Sequence, residues 1–315
     1  MRRSDKFTLL TALLAIALIA VFYVAVHRPR VVLPPVATAL PTTPGHYLGV
    51  AEANEIKNYD PINTFAGTIG RQPNVVLYYS AWGDPFETAL ATSAHDHGAT
   101  PFVQIDPQID PQQNIPMKTI AAGKDDAYLR SYARQVRAYR FPVIVGFAPE
   151  MNGDWDSWGW RRTSPSVWVK AWQHVVDVFR AAGATNVTWI WTLNAGSNGT
   201  GPIGDWWPGA KYVTWVGIDG YYFYSASTFA STFGATLNQV HALTNKPVLL
   251  SETGIGAKFQ VRKIPDLFAG VRAAGVLGFV WFDQNQNEGV YHQQWRLEGH
   301  NASVAAFRQA VKSYS

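Results

Sequence analysis

Cysteine is absent from the 315 residues, which excludes disulfides, thiolate metal sites and a cysteine nucleophile. Charge is scarce as well: 15% of residues are charged against 47% apolar, the balance of a globular chain and not of a disordered one. The formal charge of +4 is spread along the chain with no basic run, so the electrostatic footprint of a nucleic-acid binder is missing. No G-x-G-x-x-G or phosphate loop follows the first strand candidate, which argues against a doubly wound nucleotide-binding sheet. No G-x-S-x-G elbow is present, so a Ser-His-Asp hydrolase is not indicated. His95 and His97 stand near a helix end without a third ligand at a sensible spacing, and no metal or other cofactor is expected.

Aromatic residues, in contrast, are abundant. Thirteen Trp and fourteen Tyr exceed what packing alone calls for, and several sit among polar residues. Big rings fill big cores, but an apolar ring face also suits the C–H face of a sugar.

From Phe7 to Val26 the chain runs twenty residues without a charge, enough to span a bilayer as a helix. Arg2, Arg3 and Lys6 precede it and favour a cytoplasmic N-terminus. His27, Arg28 and Pro29 follow directly where a cleavage site would carry small residues, so an uncleaved signal anchor is expected over a removed signal peptide. In either case the remainder lies outside the cytoplasm, membrane-anchored or, if the segment is cleaved, secreted. Residues 28–45 hold five prolines and read as a semi-rigid spacer. The expected organisation is a tip and anchor over 1–27, a Pro-rich linker over 28–45 and one domain over 46–315, acting as a monomer.

In that domain eight short apolar runs alternate with helical stretches. Strands are expected at Tyr47–Val50, Val75–Tyr79, Pro101–Ile105, Val143–Ala148, Val187–Thr192, Trp215–Asp219, Pro247–Ser251 and Gly278–Phe282. Their near-continuous apolar character suits parallel strands covered on both faces. Helices are expected at Asp125–Tyr139, Pro165–Ala182, Ser227–Leu243 and Ile264–Ala274, with glycine turns at Gly98, Gly183 and Gly275. Eight β-then-α units point to a (β/α)₈ barrel.

Chemistry in such barrels sits at the C-terminal ends of the strands, and the unusual polar residues fall there. Asp106 ends the third strand, Glu150 the fourth, Asn194 the fifth, Asp219 and Tyr221 the sixth, and Glu252 the seventh. A single carboxylate in such a place is as readily a helix cap or a structural ion pair. Two glutamates three strands apart face each other across the mouth, at the ~5–5.5 Å typical of a retaining glycosidase. One must hold a proton for the leaving oxygen while the other is ionised to attack, and the negative neighbour raises the acid's pKa.

The segment Glu150-Met151-Asn152-Gly153-Asp154-Trp155, with Trp158-Gly159 after it, resembles the acid/base segment of glycoside hydrolase family 26, the β-mannanase family of the clan A barrels. Trp206-Trp207-Pro208-Gly209, Ile218-Asp219-Gly220-Tyr221, Ser251-Glu252-Thr253-Gly254, Phe279-Val280-Trp281-Phe282 and Trp295-Arg296 continue the likeness in family order. The resemblance implies an acid/base role for Glu150, a nucleophile in Glu252 and a tyrosine on that nucleophile in Tyr221. It also implies aromatic walls at Trp155 and Trp281, and Trp158, Asn194 and Asp106 complete the expected substrate-binding set. Two departures bear on the substrate: Pro149 stands where the family carries histidine, and Asp106 where mannanases tend to place one. The implied activity is endo-cleavage of a β-linked polysaccharide, with β-mannan leading. A non-catalytic glycan-binding barrel and a transglycosylase acting on an envelope glycan are the alternatives.

Overall fold

The computed structural model describes residues 39–52, 58–110, 112–196, 199–285 and 293–314. The expected membrane anchor at 7–26 and the first part of the linker lie outside these. Among the described residues no helix is long and apolar enough to cross a membrane.

Eight parallel strands close into a barrel: β1 Tyr47–Ala51, β2 Val75–Ser80, β3 Thr100–Ile105, β4 Val143–Phe147, β5 Val187–Asn194, β6 Trp215–Tyr222, β7 Val248–Ile255 and β8 Gly278–Phe282. Each lies where an apolar run predicted it, and β1 closes the ring by pairing with both β8 and β2. β1 and β4 are buried along their whole length and the other six at all but one or two positions, because residues facing inward pack in the barrel and residues facing outward pack under helices. Alternation sorts them. Tyr47, Val75, Leu77, Phe102, Ile144, Ile190, Trp215, Leu249 and Val280 fill the interior. Leu48, Val50, Val76, Tyr78, Val103, Val145, Trp191, Phe279 and Trp281 belong to the larger core between barrel and helices.

The expected helices are present at Asp126–Tyr139, Pro165–Ala181, Phe229–Leu243 and Gln260–Ala273. Proline at the first turn of Pro165–Ala181 lacks the N–H that would be orphaned there anyway. Thr228 and Ser231 form a reciprocal capping box ahead of Phe229–Leu243. Gly98, Gly183 and Gly275 adopt left-handed φ of 77°, 77° and 65° just past their helices.

Two features depart from eight even units. Between β5 and β6 the chain makes only a 3₁₀ turn, Gly204–Trp206, where an α-helix was expected. Gly199, Gly201, Pro202, Gly204, Pro208 and Gly209 leave no run long enough for one, and buried Trp206 covers the gap by packing on Trp168. After β3 a small antiparallel hairpin, Gln108–Asp110 with Gln113–Asn114, rises over the barrel mouth.

The seventh strand carries a bulge that matters for the site. Gly217 and Asp219 of β6 pair with Leu249 and Glu252, and Phe279 and Trp281 of β8 pair with Leu250 and Thr253. Three steps on β7 therefore answer two on each neighbour. The extra residue changes the parity, so Glu252 shares the inward face with Leu249 when simple alternation would turn it to the helices.

Candidate active site

Below the mouth lies a polar floor inside the barrel. Gln104 donates to Thr192 Oγ1 at 2.8 Å, and Ser251 Oγ donates to Asp219 Oδ1 at 2.5 Å. Glycines make room for it: a Cβ on Gly146 would lie 1.9 Å from Gln104 Oε1, and one on Gly217 within 2.7 Å of both Ser251 Oγ and Thr192 Oγ1.

Glu150 leaves β4 on a sharp turn. Ala148 and Glu150 hold φ of 47° and 53°, a left-handed region that costs about 1–3 kcal/mol for a residue with a side chain. Ala148 N–H donates to Ile105 O of β3 and Glu150 N–H to Thr192 O of β5, so the strained turn is tied on both sides. Pro149 lies between these two donors, where its missing N–H forgoes neither bond. Its carbonyl accepts from Trp158 Nε1 at 2.7 Å.

The two glutamates receive different partners. Glu150 Oε1 accepts from Asn194 Nδ2 at 2.5 Å and Oε2 from Trp155 Nε1 at 2.9 Å. Asn194 is itself aligned by Asn152, which accepts from its N–H at 2.9 Å and donates to its carbonyl at 2.8 Å. The Trp155 ring lies against Gly153, where a Cβ would approach it to 2.2 Å. On the other side Glu252 accepts two phenolic hydroxyls, from Tyr221 at 2.5 Å on Oε2 and from Tyr79 on Oε1.

Burial, followed by the charge of Glu252, pushes Glu150 up to about 8. Glu252 is also raised by burial, but the hydroxyls of Tyr221 and Tyr79 draw it back by donating to its charged form. Glu150, at about 8, is thus the carboxyl held toward its protonated form, and Glu252 the one whose charged form two hydroxyls support. Asp219, beside Glu252 in the strand register, is held well above the usual carboxylate range by burial and then by Glu252 and Glu150. Asp106 is held up by burial, then by Asp156, Glu252 and Glu150, and burial pushes Asp156 to about 6. Among the described residues no Lys, Arg or His forms an ion pair with any of these five carboxyls. The mouth can hold one negative charge cheaply, and it favours positive charge developing beside it.

The fold thus gathers Glu150, Glu252, Asp106, Asn194, Tyr221 and Trp155 at one end of the barrel. Trp155 is 45% exposed and forms an open wall. The other two tryptophans of the expected set are placed elsewhere. Trp158 is buried, with its indole committed to Pro149. Trp281 points outward with Phe279, its ring 5.3 Å from Phe307 and its Nε1 donating to Asp283 at 3.0 Å. Alternation along β8 explains the difference, since the inward partner of Val280 is Phe282, whose ring meets Tyr221 edge-on at 5.9 Å. Tyr79 and Phe282 were not among the expected site residues. Each occupies the C-terminal end of a strand at an inward position, and that parity was the available signal.

Two hollows open beside hydrogen-bond partners of the glutamates. One, of about 290 Å³, is lined by Tyr79, Asp84, Asp106 and the hairpin residues Gln108, Ile109 and Asp110. The other, of about 500 Å³, lies beside Trp155, Asp156, Arg161 and Arg162 and touches Gln108 from the opposite side. The hairpin therefore stands between them.

Among the described residues one cluster has the composition of a cation site: Glu52, Asp283 and Glu298 bring carboxylate oxygens within 4.8 Å of one another. Burial, then the hydrogen bond to Glu298, pushes Asp283 up to about 10, so it holds a proton to share. Arg296 stands 3.5 Å from Glu298 and 3.9 Å from Glu52. The raised Asp283 and the Arg296 guanidinium offset part of the negative charge of the cluster.

Comparison with known proteins places the chain. The model of glycosyl hydrolase family 26 matches residues 99–307. Endoglucanase H of Acetivibrio thermocellus is 28% identical over 269 residues, covering 79% of this chain and 29% of that protein. A β-1,3-xylanase, TXYA, of a Vibrio species is 25% identical over 173 residues, covering 51% of this chain and 36% of the other. The chain thus spans about a third of the length of these relatives. A modular endo-β-1,4-mannanase from Cellulomonas fimi superposes with a TM-score of 0.66 at 16% identity, over 85% of this chain and 71% of that one.

Proposed function

The chain belongs to glycosyl hydrolase family 26, and on that premise we propose that it is a retaining, endo-acting glycosidase that cleaves a β-linked polysaccharide, β-mannan foremost. The observation that carries this reading is the unequal treatment of two opposed carboxyls. Glu252 is held by two hydroxyl donors, while Glu150 is raised to about 8.

In the first step a Glu252 oxygen attacks the anomeric carbon while Glu150 gives its proton to the glycosidic oxygen, and the bond between that carbon and that oxygen breaks. Positive charge develops on the sugar ring as this happens, beside two carboxyls that pair with no cation among the described residues. Departure of the proton leaves Glu150 a carboxylate, which next takes a proton from water. The water oxygen bonds to the anomeric carbon and Glu252 is released. A sugar hydroxyl in place of water would give transglycosylation.

Trp155 supports a sugar next to Glu150, on the leaving-group side. Asp106, half-buried and held above the usual carboxylate range, lines the hollow beside Tyr79. A glycan-binding barrel without turnover has no use for carboxyls held at different protonation states, so catalysis is the better reading. The apolar segment 7–26 supports tethering of the domain to a membrane, outside the cytoplasm.

The test incubates the full chain and its Glu252→Gln variant with β-mannans, β-glucans and β-xylans and counts new reducing ends. Release by the parent alone, with the product anomer retained by NMR, is the expected result. Equal release by both would sink the assignment of Glu252.

A further inference from the structure

Tyr224 is 67% exposed, more than any other large apolar side chain among the described residues. One exposed ring means little by itself. This one ends a series of ring contacts that begins at the nucleophile. Tyr221, whose hydroxyl holds Glu252, lies 4.9 Å from the ring of Trp295. Trp295 is buried and packs on Gly254, where a Cβ would come within 3.1 Å of its ring, two residues beyond Glu252. Phe223 sits edge-on to Trp295 at 5.4 Å, and Tyr224 lies 6.3 Å from Phe223.

The backbone beneath Tyr224 is closed on itself. Ser227 N–H donates to Tyr224 O at 3.0 Å, Tyr224 N–H donates to Ser227 Oγ at 3.2 Å, and the next residue, Thr228, begins the capping box. The ring is therefore presented from a fixed turn at the C-terminal end of β6. Its own stretch of chain is neutral: residues 220–240 include no Asp, Glu, Lys or Arg, while Ser225 and Ser227 supply hydroxyls.

We infer that Tyr224 is an outlying stacking platform for an uncharged hexose of the glycan, beyond the sugars held directly at Glu150 and Glu252. An aromatic face next to short hydroxyls suits the C–H face and rim hydroxyls of a neutral sugar, and this stretch of chain offers no counter-ion to a charged one. The inference rests on the glycosidase reading and extends the cleft along the rim of β6.

The test measures kcat and KM of the full chain on a ladder of oligosaccharides of the cleaved glycan, with Tyr224→Ala and Tyr224→Trp. Loss of one stacking contact corresponds to about a threefold to tenfold change. Tyr224→Ala is expected to raise KM by that factor only above a threshold chain length, with kcat unchanged and shorter oligosaccharides unaffected. Tyr224→Trp is expected to restore the parent KM. An unchanged KM at every length, or an equal loss at all lengths, overturns the platform. If the parent cleaves nothing, the glycosidase reading fails separately. Affinity electrophoresis in β-mannan, β-glucan and β-xylan gels then decides, since a platform requires Tyr224→Ala to migrate faster than the parent in at least one gel, and equal migration in all overturns it.

Discussion

Tyr79 of β2 and Tyr221 of β6 reach Glu252 from opposite sides and donate to different oxygens of the same carboxylate. Neither phenol is ionised in this setting, since burial, followed by the charge of Glu252, holds both well above their ordinary range. They act as fixed donors that stabilise the charged form of Glu252 without taking its proton.

Removing one donor tests this directly. Tyr79→Phe is expected to lower kcat by roughly tenfold to hundredfold, the equivalent of one hydrogen bond to a charged group. The acid limb of the kcat profile should move to higher pH, because the remaining donor holds Glu252 down less well. An unmoved acid limb would show that Tyr79 acts only through packing.

The alkaline side belongs to Glu150. Activity on natural glycans is expected to fall as pH rises through about 8, where the proton donor is lost. An aryl glycoside whose leaving group departs without a proton should lack that limb in its glycosylation step. Pre-steady-state bursts recorded from pH 6 to 10 separate the two cases.

The same raised carboxyls make the fold sensitive to base. Glu150 moves from 4.5 to about 8 on folding and Asp283 from 3.8 to about 10, each chiefly by burial. A group raised in the folded state contributes its full share below the unfolded value and loses it as pH climbs through the folded value. Chemical denaturation should therefore show the domain more stable near pH 5 than near pH 9, with the loss concentrated between about 4.5 and 10. A flat profile would mean that the carboxyls relax to water when they ionise.

Two adjacent aromatics of β8 should divide stability from catalysis. Trp281→Ala opens a cavity against Phe307 and is expected to cost about 3–5 kcal/mol, read as a lowered denaturation midpoint. Phe282→Ala, on the inward face beside Tyr221, should instead impair turnover with a smaller loss of stability. The reverse pattern would place the sugar against Trp281.

That pair also marks where the sequence was readable. All eight strands stand out as apolar runs because both of their faces are buried, and position at a strand end was enough to bring Glu150, Glu252, Asp106 and Asn194 together. The face of a strand-end residue was harder. In a strand buried on both sides, hydrophobicity does not distinguish inward from outward, so Trp281 and Phe282 look alike until pairing fixes their parity. Tyr79 hid for the same reason, as one apolar residue among several. The bulge in β7 left no mark because it is a property of how three strands pair and not of any single segment.

The bulge also makes the position of Glu252 a matter of counting. Inserting one residue between Leu249 and Glu252, with the bulge kept, would leave the apolar inventory of β7 nearly unchanged and the barrel free to close. It would nonetheless rotate the glutamate into the helical layer. Such a chain would keep its fold while losing the carboxylate proposed as nucleophile, and a one-residue insertion at this place separates a working relative from an inert scaffold more sharply than overall resemblance does.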